Sequence, residues 1–405
     1  MSDSGANPLR VVSFTTVFPR PDDGSMGLFV RNRLEAIART GDSVEIIVVS
    51  PIPFIEYSGF LSQRRLRQPD AVEERDGAVL VHRPRWIYPP FAGAGNALFL
   101  FFFSLRTLFA LRRSFRFSLI DAHFGFPDGV AAWLLATVCG RPYTITLRGN
   151  EVVHVRHRWR RLLLRHALRR AGLVIAVSER LRGFAVSLGV DPERAVTVPN
   201  GVDASLFRPR DRRDCRAKHG ISEASPVVVS VGHLIEEKGH HRAIEAIRAI
   251  RQSGVPARLL IVGGQGGGGN YESQLRQLAG EFGDAEAIAF LGQVCQETLA
   301  ELLCAADVMC LASSREGWPN VVHESLACGT PVVATDVGAV PEMIPAGDYG
   351  YIVPPDSPTA LADALALALD RQWDRAAISS HGQQRSWDHV ARDVISHWRR
   401  VLAAP

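Results

Sequence analysis

Ser313-Ser-Arg-Glu-Gly-Trp-Pro-Asn-Val-Val-His-Glu-Ser-Leu-Ala-Cys-Gly-Thr-Pro-Val-Val-Ala334 decides how this chain is read. The run before it, Asp307-Val-Met-Cys-Leu311, is short and apolar, as a buried strand should be. Gly317 and Pro319 break that pattern, and Asn320 suits a helix N-cap. Val321 to Cys328 then makes about two turns of helix. Gly329 suits the left-handed position past a helix, and Pro331 stops it from continuing. The segment reads as strand, loop, short helix, turn, strand. Glu316 lies in the loop and Glu324 about one turn inside the helix. Free backbone N–H groups at Asn320 to His323 make the helix start attractive to phosphate. Ionised carboxylates accept two or more hydrogen bonds, which suits sugar hydroxyls. A helix start between two carboxylates is equipped to hold phosphate and sugar together. The plain alternative is a solvated Glu316 and a Glu324 favoured only by the helix dipole.

Working outward through the second half, Pro226 to Val231 is a strand, followed by Gly232-His-Leu-Ile-Glu-Glu-Lys-Gly239. Lys238, a compact charge near a strand end, suits a diphosphate; the alternative is a surface lysine on a turn. Arg258 to Val262 is a strand, and Gly263 to Gly269 follows, interrupted only by Gln265. Gly264, Gly266 and Gly269 form a G-x-G-x-x-G with Asp284 beyond it, but any long glycine run generates this pattern. It also falls outside the first βαβ unit. Ala287 to Leu291 and Gly350 to Val353 are strands. Pro358 to Leu369 and Trp387 to Leu402 are helices.

In the first half, Leu9 to Val17 reads as a strand ended by Pro19 and Pro21, then a loop through Gly27 and a helix from Leu28 to Ala38. Strand, glycine-bearing loop and helix make a phosphate-type turn. Val44 to Val49 and Ala78 to His82 are strands, with an irregular Arg-rich stretch over 51–76. Asn96 to Arg113 is a helix with an aromatic face. His123 stands at the end of a strand from Leu119, before a helix over Val130 to Val138. In open α/β sheets ligands gather at such carboxyl ends. Tyr143 to Leu147 is a strand, and Arg148 and Glu151 follow it, placed for acceptor contact or for structural ion pairing. From His154 to Arg170 there are seven arginines and no acid. Such a basic amphipathic helix points to an anionic membrane surface or a polyphosphate-lipid acceptor, or else to a solvated face. Leu173 to Ser178 and Ala195 to Pro199 are the last strands. The polar run Arg208 to Lys218 reads as a linker.

A length of 405 residues predicts two domains, and 46% hydrophobic residues predict packed cores rather than disorder. A net charge of +4 lacks the excess expected of a nucleic-acid binder. The six cysteines include no C-x-x-C pair, which predicts a reducing cytosol. No basic segment followed by an apolar one opens the chain, so no signal peptide is expected. The apolar run Ala97 to Leu105 ends at Arg106, too short to span a bilayer.

The stretch Glu316-Gly-Trp-Pro-Asn-Val-Val-His-Glu324, continued through Ala327 to Thr335 and Gly338-Ala-Val-Pro-Glu342, resembles the Glu-x7-Glu signature of retaining glycosyltransferase family 4. The resemblance covers about residues 10–370 and is densest over 313–342. It implies the α/β GT-B fold, two doubly wound Rossmann-like domains facing across a cleft: 1–208 on the acceptor side, 209–385 binding nucleotide-sugar, and a helix in 386–405 crossing back to the first domain. Asn200-Gly-Val-Asp203 and Phe207-Arg-Pro209 resemble the joining segment. The resemblance puts Glu316 on the donor sugar and Glu324 on the ribose. It puts Gly27, Lys238, Asn320 and Val321 on the diphosphate and Gly263 and Gly264 beside the donor. His123, near the reacting sugar, joins Glu316 and Lys238 as the catalytic set. Arg148 and Glu151 are placed toward the acceptor. The family's Gly-Gly pair is here Met26-Gly27, and its Gly-Arg-Leu-x3-Lys-Gly has His233 in place of the Arg, a less fixed cation. The implied activity is transfer of a sugar from a nucleotide-diphosphate sugar, with retention, to a glycan or lipid-linked acceptor in polysaccharide or glycolipid biosynthesis. No Asp-x-Asp occurs, so neither a metal nor any other cofactor is expected. An epimerase or phosphorylase of similar fold, or a Rossmann oxidoreductase, remain the alternatives. The expected setting is the cytoplasm, peripheral to the inner face of a membrane.

Overall fold

The structure, a computed structural model, describes residues 8–20, 24, 26–40, 44–57, 63–65, 73–89, 92–266, 271–281, 287–345 and 347–403. It divides into two compact units, Met1–Gly201 with Trp387–Pro405, and Val202–Ser386.

The first unit is built on one sheet: β1 (Leu9–Phe14), β2 (Val44–Val49), β3 (Glu73–Asp76), β4 (Val79–His82), β5 (Leu119–His123), β6 (Tyr143–Leu147), β7 (Leu173–Ala176) and β8 (Ala195–Thr197). The order is β8-β7-β6-β5-β1-β2-β4-β3, and only the β3–β4 edge hairpin is antiparallel. β3 of that hairpin falls in the stretch read as irregular, while β4 lies on the strand read over Ala78 to His82. β1 ends at Phe14 and not at Val17, because the Thr15 hydroxyl captures the Val17 N–H at 3.0 Å and turns the chain. Both faces of the sheet are covered, so its strands read as continuous apolar runs. Val12, Phe14, Ile120, Ala122, Ile145 and Leu147 pack beneath α2 (Asn96–Ser114), α3 (Val130–Cys139) and α4 (Arg158–Arg170). Val11, Val48, Leu119 and Ile175 pack beneath α1 (Leu28–Arg39) and the C-terminal helix Trp387–Ala403. The order β6-β5-β1 gathers the ends of three neighbouring strands, and with them Ser13, His123 and Arg148.

The second unit has a wholly parallel sheet of β9 (Val227–Val231), β10 (Arg258–Val262), β11 (Ile288–Gly292), β12 (Val308–Leu311), β13 (Val332–Thr335) and β14 (Gly350–Val353). Its order is β11-β10-β9-β12-β13-β14. Helices α5 (His240–Gln252) and α6 (Asn320–Ala327) open at the carboxyl ends of β9 and β12 and pack on opposite faces of this sheet. The expected linker over 208–218 lies inside this unit and is partly helical. Asp211 caps Arg212–Lys218 by accepting from Arg213 N at 2.8 Å and Asp214 N at 3.0 Å. Buried Arg216 then ties the helix to Ala305 O and Asp307.

Candidate active site

Each unit carries its own cluster of candidate groups at strand ends. In the first, His123 is fully buried. Its Nδ1 lies 2.9 Å from Arg148 Nη2 and its Nε2 lies 3.0 Å from Ser13 Oγ and 3.4 Å from Asp121 Oδ2. A guanidinium only donates. Nδ1 is therefore the bare nitrogen, and Nε2 carries the proton toward Ser13 and Asp121. Burial, then Arg148 and Arg33, hold the ring well below its ordinary pKa, so it is neutral. Arg148 also donates to Asn200 Oδ1 at 3.1 Å and stands 4.8 Å over the Phe29 ring. Burial, then Arg33, pulls it down to about 9, which leaves it charged at neutral pH. Arg33 completes the network, with Thr146 Oγ1 at 2.8 Å and Asp121 Oδ2 at 3.3 Å.

Glu151, placed by sequence toward the acceptor, points inward. It is fully buried and accepts Gly125 N and Gly149 N, each at 2.8 Å, and more weakly Arg148 N. The carboxylate holds two strand-end loops together. Asp128, which the sequence reading passed over, does the same for the end of β1. It accepts Thr16 N at 3.0 Å and Thr16 Oγ1 at 2.9 Å, and burial pushes it up to about 7. Gly27 heads α1 at φ 76, and a Cβ there would meet Val17 O at 2.6 Å. The turn therefore requires glycine.

In the second unit the candidates converge. Lys238 Nζ donates to Glu316 Oε1 at 2.7 Å, and Ser313 Oγ donates to the same oxygen at 2.7 Å. Both charged groups are largely but not wholly buried, with side-chain exposures of 22% and 10%. Glu316 keeps Oε2 for another donor. Asn320 is the first helical residue of α6 and not its cap; Pro319 precedes it, and the Val322 N–H turns back onto Pro319 O at 3.0 Å. Val322 therefore leaves the set of free N–H groups expected over 320–323. Val321 is half-buried at the same end. Glu324 sits in the second turn, partly open to solvent, with its carboxyl pushed up to about 7 by burial.

Gly263 ends β10 where its backbone meets Gly232. A Cβ there would lie 1.8 Å from Gly232 O, and Leu234 N donates to Gly264 O at 2.9 Å. The glycine run thus packs on the Gly232–Leu234 strand end. Gly269 and Asp284 of the G-x-G-x-x-G pattern lie outside the described residues. His233 is exposed. Its neighbour His240, absent from the sequence reading, is the organising imidazole. Nε2 donates to Gly232 O at 3.2 Å, Nδ1 accepts from Ser230 Oγ at 2.9 Å, and burial pulls the ring to about 4. Its sequence signal was its place at the first helical position after Lys238-Gly239. Among the described residues no group of three or more His, Cys, Asp or Glu side chains is placed to hold a metal.

Two doubly wound sheets, parallel but for one edge hairpin and each with a polar cluster at strand carboxyl ends, make the GT-B fold. Family models match consecutive segments: Glycosyltransferase Family 4 over residues 24–206 and Glycosyl transferases group 1 over residues 211–385. The chain belongs to glycosyltransferase family 4. It is 29% identical over 406 residues to D-inositol 3-phosphate glycosyltransferase of Corynebacterium urealyticum, covering 95% of this chain and 92% of that one. Among solved structures, sucrose-phosphate synthase from Thermosynechococcus elongatus superposes with a TM-score of 0.77 at 22% identity, covering 98% and 100% of the two chains. Anabaena HepE in complex with UDP-glucose superposes with a TM-score of 0.72 at 20% identity, covering 96% and 99%.

Proposed function

We propose that the chain transfers a sugar, with retention of configuration, from a nucleoside-diphosphate sugar to a glycan or lipid-linked acceptor. The observation that carries this is the Lys238–Glu316–Ser313 constellation beside α6, with Glu324 about one turn along. Lys238 meets the leaving diphosphate while Glu316 fixes its position. The remaining oxygen of Glu316 takes a sugar hydroxyl, and Glu324 takes the ribose. Preorganised donors of this kind stabilise a developing anion without moving as it forms. The anomeric carbon becomes cationic in such a transfer. His123 is neutral and acts as a positioning residue for Arg148. The HepE structure is a complex with UDP-glucose, which supports a uridine donor here.

A screen of nucleotide sugars for binding and for slow hydrolysis tests the reading. One or more should bind to wild type, and Glu316→Gln should lose turnover while staying folded. Binding of NADH in preference to every nucleotide sugar would replace this reading with the oxidoreductase. We also propose that lysine and backbone groups, not a metal, neutralise the diphosphate. Turnover is then expected to persist in EDTA; loss with chelator and recovery on adding magnesium or manganese would reveal a metal site.

A further inference from the structure

One layer of the first unit has an unusual outer surface. α2 buries Ala97, Leu100, Ser104, Leu108 and Leu111 on the sheet and turns Leu98, Phe99, Phe102, Phe103 and Phe109 outward. Phe102 is 63% exposed. α4 buries Leu164, Ala167 and Leu168 and turns Trp159 outward, 66% exposed, among Arg158, Arg161 and Arg165. The helix between them makes the layer continuous. Arg112 Nη1 meets Val138 O of α3 at 3.5 Å, and the Trp133 ring of α3 lies 4.4 Å from His166 of α4. No Asp or Glu occurs in 92–120, 129–141 or 152–178, which hold twelve arginines. An ordinary solvated helix face mixes charges of both signs; this one has none to mix.

We infer that the α2–α4 face docks on an anionic lipid bilayer, with Phe102, Phe103 and Trp159 at headgroup depth and the arginines on lipid phosphates. Aromatic rings favour that depth, and basic side chains are drawn to anionic lipid. The inference does not depend on the donor-site reading. Gly93–Ser114 is long and apolar enough to cross a membrane by length and composition. Its inner stripe, however, belongs to the core under the sheet, so the helix lies on the bilayer instead of spanning it. A second copy of the chain is disfavoured as occupant, since it would oppose arginines to arginines.

Co-sedimentation of the full chain with phosphatidylcholine vesicles, with and without phosphatidylglycerol, tests this. Binding should be stronger on the anionic vesicles by tenfold or more and should weaken with salt. Arg161→Gln with Arg165→Gln should lower it by about tenfold or more. Trp159 is the one exposed tryptophan. Brominated acyl chains should therefore quench the fluorescence of the unaltered protein, and Trp159→Phe should abolish the quenching. The quenching needs no variant, so a folding defect cannot mask it. Equal recovery on both vesicle types, no quenching, or unchanged binding by the arginine variant overturns the inference. So does a solution dimer that Phe102→Ser dissociates, which would give the face to a second copy.

Discussion

On the proposed reading Glu324 accepts ribose hydroxyls best when ionised, yet burial pushes its carboxyl to about 7 from its ordinary 4.5. In the empty protein the proton favours the folded state. That contribution is full below about pH 4.5 and is lost as pH rises through about 7. Donor binding has the opposite sign, because the ionised form makes the better acceptor. Affinity should rise with an inflection near pH 7, and Glu324→Gln should both flatten the curve and lose more than about tenfold at pH 8, the cost of one charged hydrogen bond. Titration calorimetry across pH 6–8 checks it; a flat wild-type curve removes Glu324 from the ribose. Glu151 tests the reverse case, a carboxylate whose work is internal. Glu151→Gln sets an amide NH2 where only acceptors fit, against Gly125 N and Gly149 N. About 1–3 kcal/mol of stability should be lost, read from the urea midpoint at unchanged slope. An unchanged midpoint would favour acceptor contact for Glu151 over an internal role.

At the scale of elements, the donor role proposed for Gly27 can be tested against its role in the turn from β1 into α1. Asp128 pins Thr16, and Gly27 passes its backbone beside Val17. Gly27→Ala forces an L-residue into the left-handed region, about 1–2 kcal/mol, and adds a contact with Val17 O. The turn must open. Donor turnover should therefore fall while the thermal midpoint drops by only a few degrees; unchanged turnover would leave Gly27 a folding residue only. These elements show why some of the chain was legible and some was not. Strands buried on both faces announce themselves as apolar runs, so β2, β6, β10 and β14 begin and end where the sequence puts them. Glu316 and Glu324 stand out as candidates because they share one dense local motif, and Lys238 because it closes a glycine-bounded turn after a strand. The meeting of Lys238 with Glu316 was not legible, since they are brought together only by the adjacency of β9 and β12. Arg33, Asp121, Asp128 and His240 were missed for a related reason. Each is a buried polar residue, and the spatial neighbour that satisfies it shows why it is there. α6 begins one residue early because Pro319 sets the turn that Asn320 was expected to make.

For the whole molecule, the second unit is inserted into the first. The chain leaves after Gly201 and returns at Trp387. The returning helix, α7 (Trp387–Ala403), buries Trp387, Val390, Val394, Ile395 and Trp398 against Val30, Leu34 and Ile37 of α1 and the outer face of β1, β5 and β7. Burying a large apolar side chain stabilises by about 1.5–3 kcal/mol. Five such groups contribute on the order of 10 kcal/mol, comparable to the whole net stability of a domain. Val202 N and Arg385 O, which bond at 3.0 Å, close the second unit on itself. A stop codon after Ser386 should therefore unfold the first unit and spare the second. The two-peak or broadened calorimetric transition of the full chain should shrink to one, and limited proteolysis should leave a resistant core within 202–386. Nucleotide binding should weaken but stay detectable in the truncated chain, because Lys238, Glu316 and Glu324 all lie in the spared unit. A truncated chain that keeps its full unfolding enthalpy would mean that α7 covers the first unit without stabilising it. One that loses both units together would mean that the second unit cannot hold its sheet alone.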